Sequence, residues 1–126
     1  MKILVAEDEP MLLKTIELKL RKEGYEVITC SDGRDAVAKI QESDPDMVIT
    51  DIMMPYVSGL EIVSLLKNGR EKIIPVIMLS AMEQEKVVME AFDLGADDYI
   101  TKPFSLNELA IRVKKLINQY QRNQSS

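Results

Sequence analysis

The sequence predicts an α/β fold, a doubly wound five-stranded parallel sheet with five helices. Five short apolar or β-branched runs alternate with five helical patterns of about ten to fifteen residues. Three of the runs carry almost no polar position, which is the pattern of strands covered on both faces. Right-handed crossovers between parallel strands then restrict the chain to a doubly wound topology.

The elements follow in order. KILVA (residues 2–6) is the first strand, and MLLKTIELKLRKEG is the first helix, with Leu12, Ile16 and Leu20 at i, i+4, i+8 and Gly24 at the C′ position. EVITC (26–30) is the second strand; the helix after it opens at Ser31-Asp32-Gly33 and carries Ala36, Val37 and Ile40. DMVIT (46–50) is the third strand, followed by GLEIVSLLKNG, which runs to Gly69. IPVIML (74–79) is the fourth, followed by QEKVVMEAFDLG, which stops at Gly95. ADDYI (96–100) is the fifth, and the last helix begins at Ser105 with Glu108 in capping-box register. Residues 1–120 read as one domain, and the polar tail 121–126 reads as fraying helix, the start of a linker or a disordered end.

Composition excludes several classes. A chain of 126 residues is one domain by length and buries a sufficient core without a metal or disulfide staple. Its net charge of −5 argues against direct binding to nucleic acid, which demands a basic face. With no histidine, the chain has no Ser-His triad, His-based metal site or phosphohistidine of its own. Cys30 lies in a strand pattern and reads as an inert buried thiol, which suits a reducing cytoplasm. No signal peptide or membrane span is expected, since Met1 leads straight into a strand and no apolar run approaches ~20 residues.

Doubly wound folds place their site beyond the carboxyl ends of the strands. There the chain puts Glu7-Asp8-Glu9-Pro10, then Asp51, then Ser80, then Thr101-Lys102-Pro103. Taken singly, each has an ordinary explanation in helix capping, turn chemistry or a solvated loop lysine. Capping does not explain why the fold gathers all four loops on one edge. Three carboxylates packed together repel unless a cation joins them, and Mg2+ suits one or two carboxylates, a backbone carbonyl and waters. Lys102 and Ser80 remain to hold an anionic group, which gives a phosphoryl-transfer site.

The motifs LVAEDE, ITDIMMPYVSGLEI, VIMLSAM and GADDYITKPF, in this order and spacing, resemble the receiver domain of two-component response regulators from Met1 to about Tyr120. The resemblance implies a flavodoxin-like sheet of order 2-1-3-4-5. It implies that Asp51 accepts a phosphoryl group from the phosphohistidine of a sensor histidine kinase. Asp8, Asp51 and the backbone carbonyl of Met53 would bind Mg2+, with Glu7 acting through a bound water. Lys102 would pair with Asp51 and then with a phosphoryl oxygen, and Ser80 and the Ala81 amide would donate to others. A cis Lys102-Pro103 bond is expected. Tyr99 takes the switch position, moving as Ser80 is drawn inward, and the face of helix 4, strand 5 and helix 5 becomes the output surface.

The same resemblance makes the chain a phosphorylated signalling domain rather than an enzyme. The tail motif with Glu108 and Arg112 is similar to the winged-helix transcription-factor class, which dimerises through helix 4, strand 5 and helix 5. Val88 stands where that class carries a basic residue, leaving the ion-pair set incomplete. Two outputs stay open: the regulatory part of a DNA-binding regulator, or a stand-alone receiver acting by protein contact or as a phosphorelay intermediate. An aspartyl phosphatase needs a second acid two residues after its nucleophile, where this chain has Met53. A flavodoxin-like cofactor protein needs a glycine-rich phosphate loop after the first strand, and none is present.

Overall fold

Five parallel strands form one sheet: β1 (Lys2–Ala6), β2 (Glu26–Cys30), β3 (Met47–Asp51), β4 (Val76–Ser80) and β5 (Asp98–Thr101). The computed structural model describes residues 1–68, 72–81 and 85–125. The order is β2-β1-β3-β4-β5, so β1 and β3 lie at the centre and the order reverses between them. Register aligns Ala6 with Thr50, Asp51 with Leu79 and Ser80 with Thr101, which brings the ends of four strands level.

The pleat divides the core. Leu4, Ala6, Val48, Val76 and Met78 face one side, where they meet α2 (Gly33–Ser43), α3 (Gly59–Lys67) and α4 (Glu85–Asp93) through Ala36, Ile40, Ile62, Leu66 and Ala91. Ile3, Val5, Ile49, Ile77, Leu79 and Ile100 face the other, where they meet α1 (Pro10–Lys22) and α5 (Leu106–Ser125) through Ile16, Leu20, Leu109 and Val113. Every residue of β3 and β4 is buried, as their continuous apolar runs require.

Local signals set the helix ends. Pro10 starts α1, and after Lys22 the chain turns at Gly24 with φ +98, where Tyr25 N–H donates to Leu20 O at 3.2 Å. The side chains of Asp32, Ser58 and Ser105 accept from Asp35, Glu61 and Glu108 N–H at 2.8, 3.2 and 2.9 Å. Glu108 does not close the capping box; its carboxylate pairs with Arg112 at 3.1 Å. The expected helix boundaries at Gly69 and Gln84 lie outside the described residues.

Three strand boundaries differ from expectation. β4 begins at Val76 rather than residue 74, because Pro75 brings no N–H to the ladder. β5 begins at Asp98, since Ala96 N–H is taken by Ala91 O at the end of α4, 3.0 Å away. β3 is displaced by one residue and includes Asp51, while Asp46 instead accepts from Lys2 N–H at 2.8 Å. α5 is helical through Ser125. Among the described residues no helix is long and apolar enough to cross a membrane.

Candidate functional site

Asp51 is the last residue of β3, driven by that strand's apolar run to the edge of the core, where it remains 5% exposed. One oxygen, Oδ1, accepts from Met53 N–H at 3.2 Å. The other, Oδ2, accepts from Lys102 Nζ at 2.6 Å. Lys102 follows β5; its N–H donates to Ser80 O at 2.8 Å, and the Lys102-Pro103 bond is cis.

Glu7, directly after β1, is fully buried. Its N–H donates to Cys30 O at 3.0 Å, and its Oε2 accepts from Glu9 N–H at 3.1 Å. Lys102 Nζ also lies 2.6 Å from Glu7 Oε1, close enough for an ion pair but outside hydrogen-bonding geometry. That oxygen is therefore buried with no aligned donor among the described residues. Burial pushes the Glu7 carboxyl up to about 7, with the charge of Asp51 adding to the rise and Lys102 and the Glu9 N–H opposing it. Burial lowers the Lys102 ammonium, but its pairing with Asp51 and Glu7 outweighs that effect and the net shift is upward.

Asp8 is exposed, and Glu7, Asp8 and Asp51 each offer an oxygen within 4.8 Å of the others. One lysine does not balance three carboxylates. Glu7 Oε1, buried without an aligned hydrogen bond, and this all-oxygen donor set fit a hard divalent cation.

Ser80 ends β4 and is 1% exposed. Tyr99 is half-buried against the α2, α3 and α4 side of the core. The Met53 side chain is 60% exposed while its N–H holds Asp51. Met82, two residues past Ser80, lies outside the described residues. Val88 is half-buried. An open groove of about 490 Å³ beside Lys102 is lined by Glu9, Met11, Ala81, Pro103 and Phe104. The larger depression, about 600 Å³, lies on α4 and holds none of the site residues.

Sequence reasoning missed several contacts. Gly59 packs so closely on β3 that an added Cβ would stand 2.9 Å from the Asp51 carbonyl carbon and from Ile52 Cα. Lys67 Nζ donates to Ile74 O, Asp97 Oδ2 and the Tyr120 hydroxyl at 2.8, 2.9 and 3.0 Å, at the opposite end of the sheet. Asp98 of β5 pairs with Arg112 of α5 at 2.7 Å. The sequence signal for Gly59 was a glycine at a helix start; nothing in it marked the approach to Asp51.

A parallel sheet of this order, with an acidic cluster, a lysine and a hydroxyl residue at its carboxyl edge, defines a signalling module of the receiver class. The chain belongs to the response regulator receiver domain family, whose model matches residues 3–114. It is 38% identical over 118 residues to the alkaline phosphatase synthesis transcriptional regulatory protein PhoP of Bacillus subtilis, covering 94% of this chain and 49% of that protein. The chain thus spans about half the length of this curated relative. It superimposes on the receiver domain of Francisella response regulator 1452 with a TM-score of 0.87 at 35% identity, covering 94% and 98% of the two chains. Response regulator TrrA of Thermotoga maritima, solved in complex with Mg2+ and BeF, gives 0.80 at 36% identity, covering 91% and 97%. The family is one of signalling domains of two-component systems.

Proposed function

We propose that Asp51 is the phosphoacceptor of this domain. The observation that carries the reading is Lys102 Nζ standing 2.6 Å from both Asp51 Oδ2 and Glu7 Oε1 within a cluster of three carboxylates. An Asp51 oxygen attacks the phosphorus of a sensor-kinase phosphohistidine, the P–N bond breaks, and its electron pair returns to the imidazole. The carboxylate needs no base, so catalysis is positioning and charge. Asp8, Asp51 and the Met53 backbone carbonyl would hold Mg2+, with Glu7 contributing through a water, and the bound ion would supply positive charge for the phosphoryl oxygens. Lys102 then turns to one phosphoryl oxygen, while the Ser80 hydroxyl and the Ala81 amide donate to others. The complex of TrrA with Mg2+ and BeF supports this assignment.

Drawing Ser80 inward frees space for Tyr99, and the surface of α4, β5 and α5 changes its partner preference. Exposed Glu85, Glu90 and Asp93 on α4 and Lys114 and Lys115 on α5 give that surface opposite charges, which suits a homodimer. The similarity to a transcriptional regulatory protein favours the regulatory part of a DNA-binding regulator over a stand-alone receiver. In this reading the domain occupies residues 1–120 in the cytoplasm, and α5 continues past it through Ser125. Intact-mass measurement after incubation with a small phosphodonor and Mg2+ tests it. One added phosphoryl group is expected; a gain that persists in Asp51→Asn would overturn the assignment.

A further inference from the structure

The loop leaving Asp51 is gripped by a helix that the proposed chemistry does not use. Residues 52–58 return to α3, and the base of the loop closes where Gly59 N–H donates to Ile52 O at 2.8 Å. Its outer part lies on the first turn of α2. Gly33 N–H donates to Pro55 O at 3.2 Å, and a Cβ on Gly33 would stand 2.6 Å from the Val57 carbonyl carbon. The absent side chain is what lets the two segments touch.

The next residue of α2 holds the loop from outside. The Arg34 guanidinium stacks 3.9 Å from the ring centroid of Tyr56. Tyr56 has φ +73, a left-handed conformation that a tyrosine keeps only when its surroundings impose it. At the inner end, Met53 N–H donates to Asp51 Oδ1. Direct contacts thus run from α2 through residues 55–57 and, along two further residues of backbone, to the carboxylate.

We propose that Gly33 and Arg34 are positioning residues for Asp51. By gripping Pro55, Tyr56 and Val57 they keep the Met53 N–H on Oδ1 and leave Oδ2 to Lys102 and the cation. A loop released from α2 spends part of its time in shapes that present Asp51 wrongly, and apparent cation affinity falls with the competent fraction. This inference rests on the reading of Asp51 as cation ligand and phosphoacceptor.

Calorimetric titration with Mg2+ alone, paired with melting curves with and without Mg2+, tests it in Arg34→Ala, Tyr56→Leu and the double variant. Each single change should weaken Mg2+ binding about two- to fivefold, the worth of one exposed cation–π contact. The double variant should lose no more than either single, Arg34→Lys should recover part of the loss, and metal-free melting of Arg34→Ala should stay near wild type. A wild-type Mg2+ affinity in Arg34→Ala, additive losses in the double variant, or equal falls in melting temperature with and without Mg2+ would overturn the proposal. A wild-type chain that takes up no Mg2+ removes the underlying reading as well, which distinguishes the two failures.

Discussion

Replacing Gly59 by alanine tests how closely α3 approaches the strand that carries Asp51. The added Cβ would stand 2.9 Å from the Asp51 carbonyl carbon and Ile52 Cα and would overlap the Asp51 carbonyl oxygen. Ordinary contact begins near 3.4 Å, so the segments must separate by about 0.5 Å at the carbons and further at the oxygen. Both sides are backbone, and β3 is fully buried between β1 and β4, so no flexible side chain absorbs the strain. Overpacking of this kind costs about 3 kcal/mol, the upper end of its usual range. For a domain of this size that lowers the melting temperature by about 10 °C. The carboxylate moves with its strand, and a misplacement approaching ~1 Å slows a positioned reaction by up to about 100-fold. Gly24→Ala is the control: its φ of +98 is unfavourable for alanine, but nothing lies within 4 Å of the new Cβ. It should cost about 1 kcal/mol and leave the phosphorylation rate unchanged. Calorimetric melting and the rate of phosphoryl uptake from a small donor in excess Mg2+ measure both variants. If Gly59→Ala melted within about 2 °C of wild type and reacted at the wild-type rate, the close approach would be wrong.

Three other outcomes are expected. The folded chain holds the Glu7 proton up to about 7, whereas the unfolded chain releases it near 4.5, so metal-free stability falls as pH rises between those values. Glu7→Gln should flatten that fall and be more stable than wild type at pH 8 by on the order of 1–2 kcal/mol, measured by urea unfolding without Mg2+. Lys67→Met removes the ammonium joining Ile74, Asp97 and Tyr120 and should cost about 2 kcal/mol in the same assay, while phosphorylation proceeds normally because the network lies at the opposite end of the sheet. Met53→Asn exchanges an exposed apolar side chain beside Asp51 for one able to orient water. Loss of the phosphoryl group, followed by intact mass, should then quicken; an unchanged decay would refute the idea that the Met53 side chain keeps attacking water from Asp51.

Much of the fold was legible because its signals are local. A stretch such as KILVA has a period that needs no knowledge of the rest of the chain, and Gly24 and Asp32 mark helix ends within a few residues. The errors fall where a distant group competes: β4 starts late at Pro75, and β5 starts late because Ala96 still serves α4. The site was legible in membership for a related reason. A doubly wound sheet gathers on one edge the residues at the carboxyl end of each strand, so Glu7, Asp8, Asp51, Ser80 and Lys102 could be named together before any distance was known.

By itself, then, the sequence determined the order of the elements and which residues follow the carboxyl ends of the strands, since periodicity, capping and strand direction fix these. Only the tertiary structure decided that one lysine faces two carboxylates, that Glu7 is fully buried with one oxygen held by an ion pair but no aligned hydrogen bond, and that Arg112 pairs with Asp98 within its own chain. It also decided that Gly33 and Gly59 are contact surfaces as well as helix starts. The reason is range: Lys102 meets Asp51 across 51 residues of chain, and local periodicity carries no information about which side chains close that distance.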